Sequence, residues 1–394
     1  MSNEIDKTLA FDPGNDNPEE DSGWGGESIK LDWSLEVGKE IGRGAMGSVH
    51  RGNLVSGGVV KDVAVKVSNR EDDSRGNLRR EAAIASQLSN GYIAAVYGYL
   101  EHEGRGAVVM EYVDGWDLAS IMDRHKKLGL RFPQKFTGAI GWLACEALRY
   151  AHNAVVVDES SNAVVGAIHR DISPRNLMVD RLQGNPKIVD FGTGILATDT
   201  PEIIGQMGGT LGYVAYEALK GEEIDHRVDI YSLGMVMDSL VRGDNAFLRT
   251  VPRGSKPMEA IRVILEAQER GVSPLEDLAG IDPEFAGIVG KATVQNRDRR
   301  YGSAEEMLGN LTTYLYEQGE YGPTRPTLKQ YLDIAFDPEL PRHLRAVREG
   351  VEGGTSERFK KRVEEAKSRM SYMVRGGKFC LESLEDEGGY VAID

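Results

Sequence analysis

An α+β protein is predicted, with a small five-stranded antiparallel sheet carrying one helix, a larger and mainly helical region, and a helical C-terminal extension. Three observations predict it. From Leu35 to Val113 the chain runs in short β-branched stretches separated by glycine, the pattern of strands joined by tight turns. A single amphipathic stretch interrupts them. Beyond Asp114-Gly115 apolar residues recur at helical spacing almost to the end of the chain.

In order, residues 1–33 are rich in Asp, Glu, Asn and Gly and read as an acidic, flexible leader. The strands follow within 34–114: LEVGKEIGRG, SVHRGNLV and KDVAVKVS, the last two joined at Ser56-Gly57-Gly58, a hairpin-type turn. NLRREAAIASQLS then places Leu78, Ala82, Ala85 and Leu88 on one helical face, and IAAVYGYLE and GAVVMEYV complete the sheet. Residues 115–320 begin with DLASIMDRHKKL and PQKFTGAIGWLACEALRYAHN, both helical. VVVDESSNAVV reads as an inserted hairpin. Further helices are expected at HRVDIYSLGMVMDSLVRG, PMEAIRVILEAQERG, PEFAGIVGKATV and SAEEMLGNLTTYLYEQG. The two prolines of GPTRPT mark a boundary. The extension, 321–394, carries two or three more helical patterns, among them SERFKKRVEEAKSRM, which reads as a solvated helix, and an acidic tail. No repeat of fixed period occurs.

Bulk properties narrow the function. A 394-residue chain with 40% hydrophobic and 28% charged residues can bury a sizeable core. A formal charge of −15 argues against nucleic acid or an anionic membrane as the main partner, since both need a basic footprint. Cys145 and Cys380 are far apart and lack a CxxC neighbour, so neither a disulfide framework nor a zinc cluster is expected. The N-terminus has no signal-peptide pattern, and no apolar run approaches the ~18 residues of a membrane span. A soluble, cytoplasmic protein without membrane insertion is expected.

Four motifs carry chemistry. Ile41-Gly42-Arg43-Gly44-Ala45-Met46-Gly47-Ser48-Val49 is a GxGxxG sequence, a spacing that dinucleotide sites share. A dinucleotide site needs a helix after the glycines, whereas SVHRGNLV reads as a strand, so a glycine hairpin folded over phosphates fits better. Val63-Ala64-Val65-Lys66 puts an ammonium in an apolar strand, where it needs anions. Glu81, in the next helix, is the natural partner, with Lys66 bonding the α- and β-phosphates. His169-Arg170-Asp171-Ile172-Ser173-Pro174-Arg175-Asn176 follows, and then Asp190-Phe191-Gly192.

In this order the set resembles the protein kinase family, and in particular the bacterial eukaryotic-like (Hanks-type) serine/threonine kinases, some of which read HRD-(V/I)-SP-x-N after a similar insertion. The resemblance covers about residues 35–320. It implies a bilobal protein kinase fold and transfer of the γ-phosphate of ATP, with Mg²⁺ (or Mn²⁺ in its place), to Ser/Thr of a protein substrate, autophosphorylation included. Phosphoryl transfer has a loose transition state, so catalysis is mainly positioning and charge neutralisation. By resemblance Asp171 orients the substrate hydroxyl, Asp190 and Asn176 hold the metal, and His169, Arg170 and Phe191 set the loop geometry. Glu111 and Val113, after Met110, offer backbone groups to adenine. Ile41, Val49, Ala64 and Met178 enclose its ring, and Asp117 meets the ribose. Glu217 pairs with Arg300, Asp229 anchors the catalytic loop, and Thr210 with Pro174 points to an aliphatic hydroxyl as acceptor. Arg170 implies a phosphorylated activation loop, for which Thr198 and Thr200 are the candidates.

Two departures stand out. Ser173 replaces the lysine that neutralises γ-phosphate charge in most such kinases, and Arg175 is the residue that can supply the charge. Tyr216 replaces the proline of the usual APE. A weakly active or inactive kinase-fold scaffold and a small-molecule phosphotransferase are the competing readings. The alternative to a solvated extension is that residues 321–394 form a docking or autoregulatory module, packed on the large lobe or on a protein partner.

Overall fold

The computed structural model describes residues 33–44, 47–68, 77–102, 104–157, 163–191, 208–271, 275, 278, 280–316, 322–350 and 354–370. Strands β1 (Ser34–Arg43), β2 (Gly47–Ser56), β3 (Val59–Ser68), β4 (Val96–His102) and β5 (Arg105–Glu111) form one antiparallel sheet, ordered β1-β2-β3-β5-β4. Strand alternation divides its side chains between two faces. Val63, Val65, Ala107 and Val109 fill one, while Ala64, Val108 and Met110 pack with Ala82 of helix α1 (Asn77–Ala85) on the other. The five strands and one helix are those the sequence predicts, although the helix stops at Ala85 and Leu88 is buried just beyond it.

The larger lobe holds α2 (Leu118–Leu128), α3 (Gln134–Asn153), α4 (Tyr216–Leu219), α5 (Arg227–Arg242), α6 (Pro257–Arg270), α7 (Pro283–Ala292) and α8 (Ala304–Tyr316). Buried residues run along α5 from Val228 to Val241, so this helix forms the centre of the lobe. Strand β6 (Gly115–Asp117) precedes α2, and β7 (Val155–Val157) pairs with β8 (Ala163–Val165) as the inserted hairpin. Strands β9 (Leu177–Asp180) and β10 (Pro186–Ile188) join β6 in a sheet ordered β10-β9-β6. Bonds also cross between the lobes. The Gln87 side chain donates to Val157 O at 2.9 Å and accepts from Val157 N at 2.8 Å. Ser89 N donates to the Tyr150 hydroxyl, and Ile93 bridges to Ile188.

Beyond α8 come α9 (Arg325–Ala335), α10 (Leu340–Glu349) and α11 (Glu357–Met370). Leu328, Tyr331, Leu332, Leu340, Leu344, Phe359, Val363 and Ala366 join the same apolar core as Phe132 and Phe136. The solvated reading of SERFKKRVEEAKSRM is therefore corrected. Phe359, Val363 and Ala366 recur at i, i+4 and i+7, a buried stripe that its many charges conceal. The GPTRPT stretch opens a helix. Pro326 lies in the first turn of α9, where its missing N–H is harmless, and Thr324 and Thr327 form a capping box. At the N-terminal end of α9, Gly184 has φ +71°, and a Cβ there would stand 2.3 Å from Arg325 O. Only glycine permits that approach. Cys145 is buried, and burial pushes its thiol pKa up. Cys380 lies outside the described residues. Among the described residues no helix is long and apolar enough to cross a membrane.

His125 of α2 is the polar centre of this seam. Its Nδ1–H donates to Ile121 O at 2.7 Å, and Nε2 accepts from the Tyr331 hydroxyl at 2.7 Å. Burial pushes its pKa down from 6.5 to about 4. Below pH 6.5 the unfolded chain takes up a proton that the folded chain refuses down to about 4. Stability accordingly falls as pH drops through that window, by up to roughly 1.4 kcal/mol per pH unit. Unfolding midpoints measured from pH 7 to 4.5 are expected to show this slope, and His125→Gln to remove it. An unchanged slope in the variant would exclude His125 as its source.

Candidate active site

The cleft between the two sheets gathers most of the predicted residues. Gly44 N donates to Gly47 O at 2.8 Å, closing the β1–β2 hairpin, while Ala45 and Met46 lie outside the described residues. Strand follows strand across the glycines, as phosphate cover requires and a dinucleotide site does not. A Cβ on Gly47 would lie 2.2 Å from Val67 O, so glycine lets β2 close on β3. Gly42 belongs to β1, with Ile41 exposed at the cleft mouth. Val49 stands opposite Lys66 across β2–β3, Ala64 opposite Met110 across β3–β5, and Met178 opposite Asp117 across β6–β9. An apolar roof and floor for a flat ring result.

Lys66 is buried, and its Nζ lies 3.1 Å from Asp190 Oδ2. Glu81 lies in α1, but its side chain falls outside the described residues. Asp190 takes φ +59° and Arg170 φ +66°, both rare for residues with a side chain. Such a backbone persists only where its surroundings over-determine it. For Arg170 they do. The fully buried Asp229 accepts from His169 N at 2.8 Å, Arg170 N at 2.7 Å and His152 Nε2 at 2.8 Å. Burial alone would raise the Asp229 pKa, yet the bond and charge of His152 leave it lowered, so the anchor stays ionised. His169 accepts from Asp171 N through Nδ1 and donates through Nε2 to Val189 O, with its ring edge-on to Phe191 at 4.8 Å.

Asn176 Nδ2 donates to Asp171 O at 2.9 Å and to Asp171 Oδ2 at 2.8 Å, which points the carboxylate. With that nitrogen committed, the amide oxygen is the atom suited to a hard cation. Asp190 adds a carboxylate, so the donor set fits Mg²⁺, which takes few protein oxygens and fills its shell with phosphate and water. No cluster of three or more His, Cys, Asp or Glu among the described residues could hold a metal unaided. Burial pushes the Asp171 pKa up to about 7, against the pull of Lys66 and helped by the charge of Asp190. A cation beside it favours the ionised form. Ser173 is buried with its hydroxyl unpartnered, whereas Arg175 is exposed one residue before Asn176.

The acceptor side is a 3₁₀ turn, Gly208–Tyr213, with Thr210 half-buried in it. Asn245 holds Gly212 O at 3.0 Å, Ser232 holds Tyr213 O at 2.8 Å and Gln268 holds Val214 O at 2.9 Å. Arg300 meets Glu217 through two bonds of 2.5 and 2.8 Å, both side chains buried. Tyr216, which stands where the proline would, donates its hydroxyl to Glu269 on α6 at 2.7 Å.

Asp117 and Glu111 also carry structural bonds of their own. Both Asp117 carboxylate oxygens cap α2 through Ser120, so any ribose contact would share them. The Glu111 side chain is committed to Lys187 Nζ at 2.6 Å and to Ala95 N, while Val113 is buried beside it. Thr198 and Thr200 lie outside the described residues. Sequence reasoning missed Asn245, His152 and Lys187, whose partners are distant in the chain.

Comparisons with known proteins agree with this geometry. Residues 35–310 match the protein kinase domain family. Serine/threonine-protein kinase PknB of Mycolicibacterium smegmatis is 32% identical over 288 residues, 70% of this chain and 42% of that protein. The chain thus spans less than half the length of that relative. Mitogen-activated protein kinase kinase 1 of Arabidopsis thaliana is 28% identical, with 73% of this chain and 76% of that protein covered. A crystal structure of the Mycobacterium tuberculosis PknI kinase domain, a double mutant, superposes with a TM-score of 0.51 at 23% identity, covering 72% of this chain and 96% of that one. That likeness shows the shared bilobal fold.

Proposed function

The chain belongs to the protein kinase family, and we propose that it transfers the γ-phosphate of Mg-ATP to serine or threonine hydroxyls of proteins, itself included. The observation that carries the reading is the joint placement of Lys66, Asp171, Asn176 and Asp190 at one cleft. A scaffold has no need to keep an ammonium and two carboxylates there.

Asp190 and Asn176 would hold Mg²⁺, which would supply charge neutralisation at the phosphates. The chain's own residues do the rest. Lys66 holds the α- and β-phosphates, the glycine hairpin covers them, and Asp171 accepts the hydroxyl proton. Glu111 and Val113 offer backbone groups to adenine. Arg175, exposed and without a partner among the described residues, provides the cation that Ser173 does not. The held turn around Thr210 favours a polypeptide acceptor over a small molecule. A need for ATP supports the cytoplasm as the site of this activity, with a protein carrying accessible serine or threonine as its substrate.

Incubation of the purified full chain with Mg²⁺, γ-labelled ATP and a generic basic protein tests this. Label is expected on phosphoserine or phosphothreonine of the chain or the added protein. Label recovered solely on phosphotyrosine or on a small molecule, or none at all, would refute the reading.

A further inference from the structure

The docked extension reaches the strand that borders the nucleotide cleft. We propose that Phe336 is a positioning residue for the nucleotide, acting through Trp116. The inference rests on the reading that the cleft binds Mg-ATP.

Trp116 is the middle residue of β6. Across β6–β9 the pairs are Gly115↔Asp180, Trp116↔Val179 and Asp117↔Met178. Alternation sends the Trp116 side chain to the face opposite that of Asp117. On that face its ring lies between two groups. The Phe336 ring stacks on it at 5.0 Å between centroids and 22° between planes, and the Arg181 guanidinium sits 4.8 Å from its centroid. Strand β6 is only three residues long and leads directly into α2, so it has little pairing of its own. The stack supplies what a longer ladder would.

Phe336 is itself gripped. Arg124 of α2 donates to Ala335 O at 2.6 Å and to Asp337 O at 3.0 Å, the carbonyls on either side of it. At the other end of α9, Gly184 in the β9–β10 turn meets Arg325 O. Helix α9 therefore braces the β10-β9-β6 sheet at both ends, and residues 322–370 lie beyond the segment matched by the kinase family. Asp117 and Met178 pair one step along the register from Trp116 and Val179, so the stack on Trp116 is the part of this brace that borders them. Loosening the stack lets them drift from their common register, which weakens nucleotide binding without touching Asp171.

The test compares the full chain with Phe336→Leu, which keeps apolar volume but loses the stack, Phe336→Tyr, which keeps both, and Leu344→Ala, a buried change elsewhere in the extension. Calorimetric Kd for Mg-ATP, the KM for ATP, kcat and the unfolding midpoint are measured for each. Phe336→Leu is expected to raise Kd and KM roughly three- to tenfold, the range of an aromatic pair, with kcat at saturating ATP within about twofold. Phe336→Tyr is expected to match the unaltered chain. Leu344→Ala is expected to lower the midpoint while leaving KM alone. A Phe336→Leu chain with unchanged KM, or a Leu344→Ala chain with KM raised equally, overturns the proposal. An unaltered chain that binds no Mg-ATP overturns the kinase reading and this one together, a result distinct from an indifferent Phe336→Leu.

Discussion

Asp171→Asn is expected to slow phosphate transfer roughly 10²- to 10⁴-fold, the usual contribution of a positioned general base. The substitution is nearly isosteric, and its amide oxygen can still accept from Asn176. The loop geometry, fixed by Asp229 through His169 N and Arg170 N, does not depend on the Asp171 charge. The KM for ATP should therefore hold while kcat falls. Stability should not fall with it. Burial has already pushed the Asp171 pKa up to about 7, so its ionised form is a cost to the fold above that pH. Single-turnover transfer with labelled ATP measures the rate, and thermal unfolding at pH 8 the stability. Transfer kept within tenfold of the unaltered chain would remove Asp171 from the base role.

The second large effect falls on the Glu217–Arg300 pair. Removing one partner, as in Glu217→Gln or Arg300→Met, leaves the other charge buried, at a cost of about 3–5 kcal/mol. Arg300 also donates to Val294 O at 2.6 Å and Gln295 O at 2.8 Å, so its loss frees two carbonyls as well. The double change Glu217→Leu with Arg300→Met should recover much of the loss, because both desolvated charges are gone. Urea unfolding of the single and double variants checks this. Equal instability of all three would mean that packing, not charge, governs the site.

The small lobe was legible because its rules are local. Period-two alternation and glycine turns decide β1–β5, and a lysine inside VAVK announces burial next to an anion. The catalytic loop was legible through ordered motifs. The extension was not. Its docking rests on contacts such as His125 with Tyr331 and Arg124 with Ala335, more than two hundred residues apart in sequence. Period alone cannot tell a helix that packs on a distant aromatic cluster from one facing solvent when the apolar stripe is narrow. Asp117 illustrates a different ambiguity. An acidic residue before a helix is an N-cap by local chemistry and a ribose ligand by resemblance, and the backbone shows the cap.

The bonds between Gln87 and Val157, with Ser89 on Tyr150 and Ile93 on Ile188, fasten one end of α1 to the larger lobe. The helix is thus a lever with a fixed fulcrum at its C-terminal end. Rotation about that point carries its first turns through the widest arc, and Glu81 travels with them. Opening and closing of the cleft need not alter the whole small lobe. A rotation of α1 about that end would change the separation of Glu81 and Lys66, and the inserted hairpin is the part to which that end is tied.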